Sequence, residues 1–135
     1  MRAGPVAFAL LPVTDGGSRS TLAPIRLRRL AGNRYRPVKL LVVMQSAHPV
    51  WVTVPATERR HVSLLFDPRA LTAIGGAGAR ISQGSATVKF DPCGPQTAYN
   101  GGVLVAGPRC VRLAVSDQPG HERRMVTINF AEREC

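Results

Sequence analysis

The sequence predicts an all-β fold, an antiparallel two-layer β-sandwich of the immunoglobulin-like kind with about eight strands. Apolar and polar residues alternate with a period of two in several short segments, which places every second side chain on the same face of a strand. The chain also contains 13 glycines and 11 prolines, which separate these segments with turns. Its 135 residues are suited to one domain with a single core, so residues 1–135 are predicted to form one β-domain.

The strands are predicted where this alternation or a short apolar run occurs. In residues 86–90, for example, Ala86, Val88 and Phe90 alternate with Thr87 and Lys89. Residues 111–115 and 126–130 have the same pattern, and Trp51 is out of phase with its valine neighbours, so it is predicted to face away from them. The further predicted strands are residues 6–11, 25–30, Val38–Met44, 50–54, 61–66 and 102–106.

Two connections are predicted from turn residues. Residues 45–49 include Ser46, His48 and Pro49, so the strands on either side are predicted to form a hairpin. Residues 67–84 are the least strand-like part of the chain, and a short helix at most is expected at 69–74 because the glycines from position 75 onward end it.

Cys93 and Cys110 are predicted to form a disulfide. Asn100-Gly101 between them is a dipeptide typical of hairpin turns, which would bring the two cysteines together. Such a bridge contributes about 3 kcal/mol and indicates an oxidising compartment, whereas two free buried thiols are the alternative. Cys135 leaves an odd count, so it is a tail thiol, an intermolecular link or a competing partner for one of the other two.

The charge balance favours an anionic partner. There are 18 basic and 8 acidic residues, and such a surplus attracts polyanions. The alternative is that the arginine-rich surface has no function and reflects the base composition of a high-GC genome. The candidate polyanion-binding residues are Arg26, Arg28, Arg29, Arg34 and Arg36, because alternation places Arg26 and Arg28 on the side opposite Ile25 and Leu27.

Enzymatic motifs are not found in the sequence. Gly76-Ala77-Gly78 lacks the third glycine and the Lys-Ser or Lys-Thr pair of a phosphate-binding loop. His48, His61 and His121 have neither metal-ligand spacing nor a nearby cysteine pair. We therefore expect no catalytic residue, no cofactor and no metal site.

The first twelve residues are predicted to contain a strand rather than a secretion signal, because Pro5 and Pro12 interrupt a short apolar run that has one preceding arginine. No apolar stretch reaches the length of about 18 residues that a membrane-spanning helix needs. For an exported domain, the signal or anchor is expected to lie outside this chain.

Three short motifs carry a family resemblance: Phe90-x-x-Cys93, Asn100-Gly101-Gly102 and Arg109-Cys110-Val111. With the strands upstream of them, over residues 36–130, they resemble the C-terminal β-domain of uncharacterised cell-envelope proteins of actinobacteria. The resemblance implies a secreted or membrane-tethered β-domain.

These observations together predict a non-enzymatic module on the outer face of the membrane with an interaction or structural role. Its expected partners are anionic lipid, a cell-wall polymer or another envelope protein. A small basic nucleic-acid-binding β-domain is the alternative; it is less favoured because it rests on charge alone and has no use for a disulfide.

Overall fold

The structure is a computed structural model that describes residues 2–10, 29–118, 124–130 and 135. Half of it is strand and 11% is helix, which confirms the prediction of a mostly β chain with little helix. The described residues contain eleven strands rather than about eight, and three of the eleven are only two residues long. The strands are β1 (Arg2–Ala3), β2 (Val6–Leu10), β3 (Arg29–Leu30), β4 (Arg34–Tyr35), β5 (Val38–Met44), β6 (Val50–Thr53), β7 (Val62–Leu65), β8 (Thr87–Phe90), β9 (Thr97–Val105), β10 (Cys110–Ser116) and β11 (Arg124–Asn129).

The strands form two larger sheets and one two-stranded ribbon. One sheet has five strands in the order β1-β2-β5-β9-β7, and the other has four in the order β11-β10-β6-β8. Strands β3 and β4 pair with each other. Every strand pair is antiparallel.

The buried faces of the two larger sheets share one hydrophobic core. Leu40 and Val42 of β5 belong to the same buried cluster as Val52 of β6 and Leu113 of β10. Alternation produces this arrangement, because β5 buries every second residue, beginning with Val38, and exposes Lys39. In the same way Trp51 is half-buried between the buried Val50 and Val52, which confirms that it faces away from them.

The predicted hairpin of residues 38–44 and 50–54 is wrong. Strand β5 pairs with β2 and β9, whereas β6 pairs with β8 and β10, so the two segments lie in different sheets. Residues 45–49 therefore carry the chain from one sheet to the other. The physical reason is that both strands have an apolar face to bury, and crossing to the other sheet lets the two faces contribute to one core.

The predicted turn at Asn100-Gly101 is also absent, because both residues lie inside the nine-residue strand β9. They pair there with Leu41 and Leu40 of β5. Glycine is required at position 101 by close packing: a Cβ atom there would overlap the ring of Phe66 and would lie 2.7 Å from the Leu65 carbonyl oxygen. The dipeptide thus reflects a close approach to Phe66 and not a reversal of the chain.

Replacing Gly101 with alanine is expected to lower the free energy of unfolding by about 1–3 kcal/mol, because the new methyl group must displace Phe66 or the β7 backbone. Gly94→Ala is the matched control, since a Cβ atom there meets nothing within 4 Å. Urea unfolding of both variants measures the difference. Equal midpoints would contradict the packing explanation.

A second, smaller hydrophobic cluster covers the outer face of the five-stranded sheet. Leu65 of β7 and Leu104 of β9 contribute to it, together with Ala79. Above them lie the helix α1 (Pro68–Ile74) and two short 3-10 turns at Gly75–Ala77 and Ile81–Gln83. The short helix that the sequence predicts at 69–74 is thereby confirmed. Because this layer also holds Tyr35 of β4, it sets the position of the β3–β4 ribbon.

Candidate functional site

The five arginines predicted to form one patch are only partly described. Arg26 and Arg28 lie outside the described residues, whereas Arg29, Arg34 and Arg36 are exposed. In the β3–β4 ribbon Arg29 is opposite Tyr35 and Leu30 is opposite Arg34, so Arg29 and Arg34 lie on different faces of the ribbon. The Arg29 guanidinium donates a hydrogen bond to Asn33 Oδ1. A single patch of all five arginines stays a prediction.

Arg34 instead lies beside an arginine that the sequence analysis did not single out. The backbone N–H groups of Tyr35 and Ala79 each donate to the other residue's carbonyl oxygen, at 2.7 and 2.9 Å. This bridge is antiparallel, so the residue before Tyr35 is adjacent to the residue after Ala79. Those two residues are Arg34 and Arg80, and both line the same surface depression.

A second group of basic residues comes from the connection between β6 and β7. Two hydrogen bonds shape this turn: the N–H of Glu58 donates to Pro55 O and the N–H of His61 donates to Glu58 O, both at 2.9 Å. Arg59 donates from Nε to Val54 O at 3.2 Å, which holds the base of its side chain against the end of β6. The turn thereby presents Arg59, Arg60 and His61 at the surface.

These groups meet in two adjoining depressions, which we call the arginine groove. One depression is lined by Arg59, Arg60, His61 and Arg80, and the other by Arg34 and Arg80. Arg80 lines both depressions, so the two lie on either side of its side chain. None of the described residues that line them is acidic.

Charge compensation is scarce on the described surface. It carries thirteen arginines and lysines and four carboxylates, which are Glu58, Asp67, Asp91 and Asp117. Within this part of the chain one ion pair forms, between Lys89 Nζ and Asp91 Oδ1 at 2.8 Å, and it lies on β8 and the residues after it rather than at the groove. The groove arginines therefore have no carboxylate partner among the described residues.

The predicted disulfide between Cys93 and Cys110 is wrong: Cys110 is bonded to Cys135, with Cα atoms 5.7 Å apart, and Cys93 is free and exposed. The reason is the strand between the two predicted partners. The nine residues of β9 extend over about 30 Å, so Cys93 and Cys110 stand at opposite ends of a strand. Cys110 begins β10 and pairs with Asn129 near the end of β11, which brings it close to the end of the chain.

Around Cys93 the backbone is held by a compact set of hydrogen bonds. The Cys93 N–H donates to Thr97 Oγ1 at 2.9 Å, and the Tyr99 hydroxyl donates to the Asp91 carbonyl oxygen. Burial raises the pKa of Tyr99, and the nearby Cys93 and Asp91 raise it further. The tyrosine therefore keeps the proton that it donates at neutral pH.

No group of three or more His, Cys, Asp or Glu side chains is placed to hold a metal ion within the described segments. No helix in these segments is long and apolar enough to span a membrane.

Comparison of the chain with protein families, curated proteins and solved structures finds no match. The properties of the arginine groove are therefore inferred from the geometry of this chain and not from a related protein. A partial signal for it exists in the sequence, since Arg59-Arg60-His61 is a basic triplet. The position of this triplet next to Arg34 and Arg80 depends on the Tyr35–Ala79 bridge, and the sequence contains no signal for that bridge.

Proposed function

We propose that the chain is an immunoglobulin-like β-sandwich that acts as a non-enzymatic module at the outer face of the cell envelope, where it binds anionic polymers. The observation that carries the proposal is the unpaired positive charge: thirteen basic side chains with four carboxylates and one ion pair among the described residues. A surface of this kind attracts polyanions over a distance comparable to the Debye length, about 8 Å at physiological salt.

The order of the strands supports the immunoglobulin-like assignment. In the five-stranded sheet β2-β5-β9-β7 correspond to the order A-B-E-D, and in the other sheet β11-β10-β6 correspond to G-F-C. Strand β8 is an addition that pairs with the free edge of β6. The disulfide that joins strands B and F in antibody domains has no counterpart here, since Cys110 pairs with Cys135.

The extracytoplasmic location is supported by the Cys110–Cys135 disulfide. Such bonds persist in oxidising compartments and are rare in the cytosol, where thiols are kept reduced. The resemblance of residues 36–130 to actinobacterial envelope proteins favours the same location. Anionic lipid, a wall polymer and another envelope protein are the partners available there.

Nucleic-acid binding is the alternative, and the net charge of +10 is the observation that favours it. Single-stranded nucleic acids are bound by stacking bases on exposed aromatic side chains. Near the arginines the described surface offers Tyr35, which is half-buried against the second hydrophobic cluster. This shortage of stacking surfaces favours a polymer without bases.

The proposal is tested in cells that produce the protein naturally, by fractionation combined with mass mapping of the unreduced protein. We expect the chain in the envelope or culture-medium fraction, with Cys110 linked to Cys135 and with Cys93 carrying any alkylating label. Recovery from the cytoplasm with all three thiols labelled would contradict the envelope role and favour the nucleic-acid alternative.

A further inference from the structure

We infer that the arginine groove is a binding site for a linear phosphate polymer that carries no bases. This inference rests on the proposed function and makes it more specific, because it assigns polyanion binding to Arg34, Arg59, Arg60 and Arg80 rather than to the overall charge.

Two arginines side by side without a carboxylate are unfavourable in the free protein. Arg34 and Arg80 are adjacent across the Tyr35–Ala79 bridge, and like charges in such a position repel each other. In the described part of the chain no acidic side chain forms an ion pair with either of them. An anion bound between the two guanidinium groups would convert this repulsion into attraction for both.

The groove is shallow and open to solvent, and its basic side chains stand on both sides of Arg80, which lines both depressions. Arg34 lines the depression on one side of Arg80, and Arg59 and Arg60 line the depression on the other. A single small anion would contact only one part of this row, whereas a chain of repeating negative charges would contact all of it.

Arginine chemistry favours phosphate. The planar guanidinium donates two parallel hydrogen bonds to a phosphate or carboxylate, and arginine is enriched at phosphate-binding sites. The groove offers further donors in Asn33 and Ser82, which line the same depression as Arg59. Repeated phosphates along a flexible chain therefore match the groove in charge and in hydrogen-bonding chemistry.

Two other phosphate-bearing ligands fit less well. A membrane surface is best bound where apolar side chains can insert next to the basic ones. The exposed large apolar residue of the described surface is Met125, which lies on β11 of the other sheet. Single-stranded nucleic acid is bound largely by stacking of its bases on aromatic side chains, and Tyr35, which is half-buried, is the aromatic residue that lines the groove.

The test uses the oxidised full-length protein, with fluorescently labelled inorganic polyphosphate as the probe at physiological salt. The groove variant is Arg59→Ser, Arg60→Ser and Arg80→Ser together. The control variant is Arg2→Ser, Arg112→Ser and Arg124→Ser, which removes the same charge from three exposed arginines that do not line the groove. We expect at least tenfold weaker binding by the groove variant and less than threefold weaker binding by the control.

Salt dependence separates direct contacts from overall charge. Each phosphate contact contributes about 0.7–0.9 to the slope of the logarithm of the binding constant against the logarithm of salt concentration. The slope is therefore expected to fall by about 2.1–2.7 in the groove variant, for three lost contacts, and to stay unchanged in the control. Equal losses in the two variants would overturn the inference while leaving a general attraction for polyanions, and with it the proposed function, intact.

The single variant Arg80→Gln tests whether weaker binding results from a folding defect. Relief of the repulsion from Arg34 is expected to leave the melting temperature at low salt equal to or above that of the wild type, while binding weakens. Polyphosphate should raise the melting temperature of the wild type more than that of this variant, since a ligand stabilises the state that it binds. Groove-dependent binding that is tighter for single-stranded DNA or for phosphatidylglycerol vesicles than for polyphosphate would overturn the choice of ligand.

Discussion

Phe90→Ala is expected to lower the free energy of unfolding by about 3–5 kcal/mol, a large share of the 5–15 kcal/mol typical of a domain. Phe90 is 1% exposed and ends β8. Its ring packs edge-on against Phe66 with centroids 5.0 Å apart, and against Tyr99 at 4.9 Å. Because Tyr99 belongs to the five-stranded sheet, this aromatic group joins the two sheets, and truncation leaves a cavity between them.

The matched control is Met125→Ala, which also truncates a large apolar side chain but at a position that is 51% exposed. A change within about 0.5 kcal/mol is expected there. Denaturant unfolding followed by tryptophan fluorescence measures both variants, since Trp51 is the single tryptophan of the chain. Similar losses in the two variants would contradict the role assigned to Phe90.

Removal of the disulfide is expected to have a comparable effect. Cys110 and Cys135 are separated by 25 positions, and closing a loop of that length in the unfolded chain is worth about 3.5 kcal/mol in the chain-entropy model. Cys110→Ser and Cys135→Ser should therefore each lower the free energy of unfolding by about this amount, and reduction of the wild type should do the same.

Cys93→Ser tests the assignment, because Cys93 is exposed and makes no disulfide. It should unfold at the same denaturant concentration as the wild type under oxidising conditions. If Cys93→Ser were as destabilising as Cys110→Ser, or if non-reducing mass mapping linked these two cysteines, the Cys110–Cys135 pairing would be refuted.

The positions of the longer strands could be predicted from the sequence, because burial of one face leaves a periodic signal. In β10 the buried Val111 and Leu113 flank the exposed Arg112, and in β11 the buried Val126 and Ile128 flank Thr127. The outward orientation of Trp51 followed from the same rule.

The partners of these strands could not be predicted in this way. Alternation reveals which face of a strand is buried but not which strand lies beside it. The apolar run of β5 and the valines of β6 therefore looked like a hairpin, although each strand pairs within a different sheet. Asn100-Gly101 was misleading for a related reason: a local turn preference was outweighed by the packing of Phe66 against a strand without a side chain at position 101.

The candidate site shows the same division between local and long-range information. The basic character of residues 59–61 is visible in the sequence, and the basic β3–β4 segment is too. The backbone bridge between Tyr35 and Ala79 brings these two basic segments together to form the groove. This bridge depends on the second hydrophobic cluster, to which both residues belong. Contacts between residues so far apart in the chain leave no periodic pattern.

The passage of the chain from sheet to sheet has a consequence for its synthesis on the ribosome. From β5 to β10 each successive strand lies in the sheet opposite to the one before it. Val38 of β5 pairs with Val103, and Thr53 of β6 pairs with Ala114, so each central strand leaves the ribosome long before its last partner. One edge of each of these strands stays unpaired until β9 and β10 emerge, whereas β11 directly follows its partner β10 along the chain.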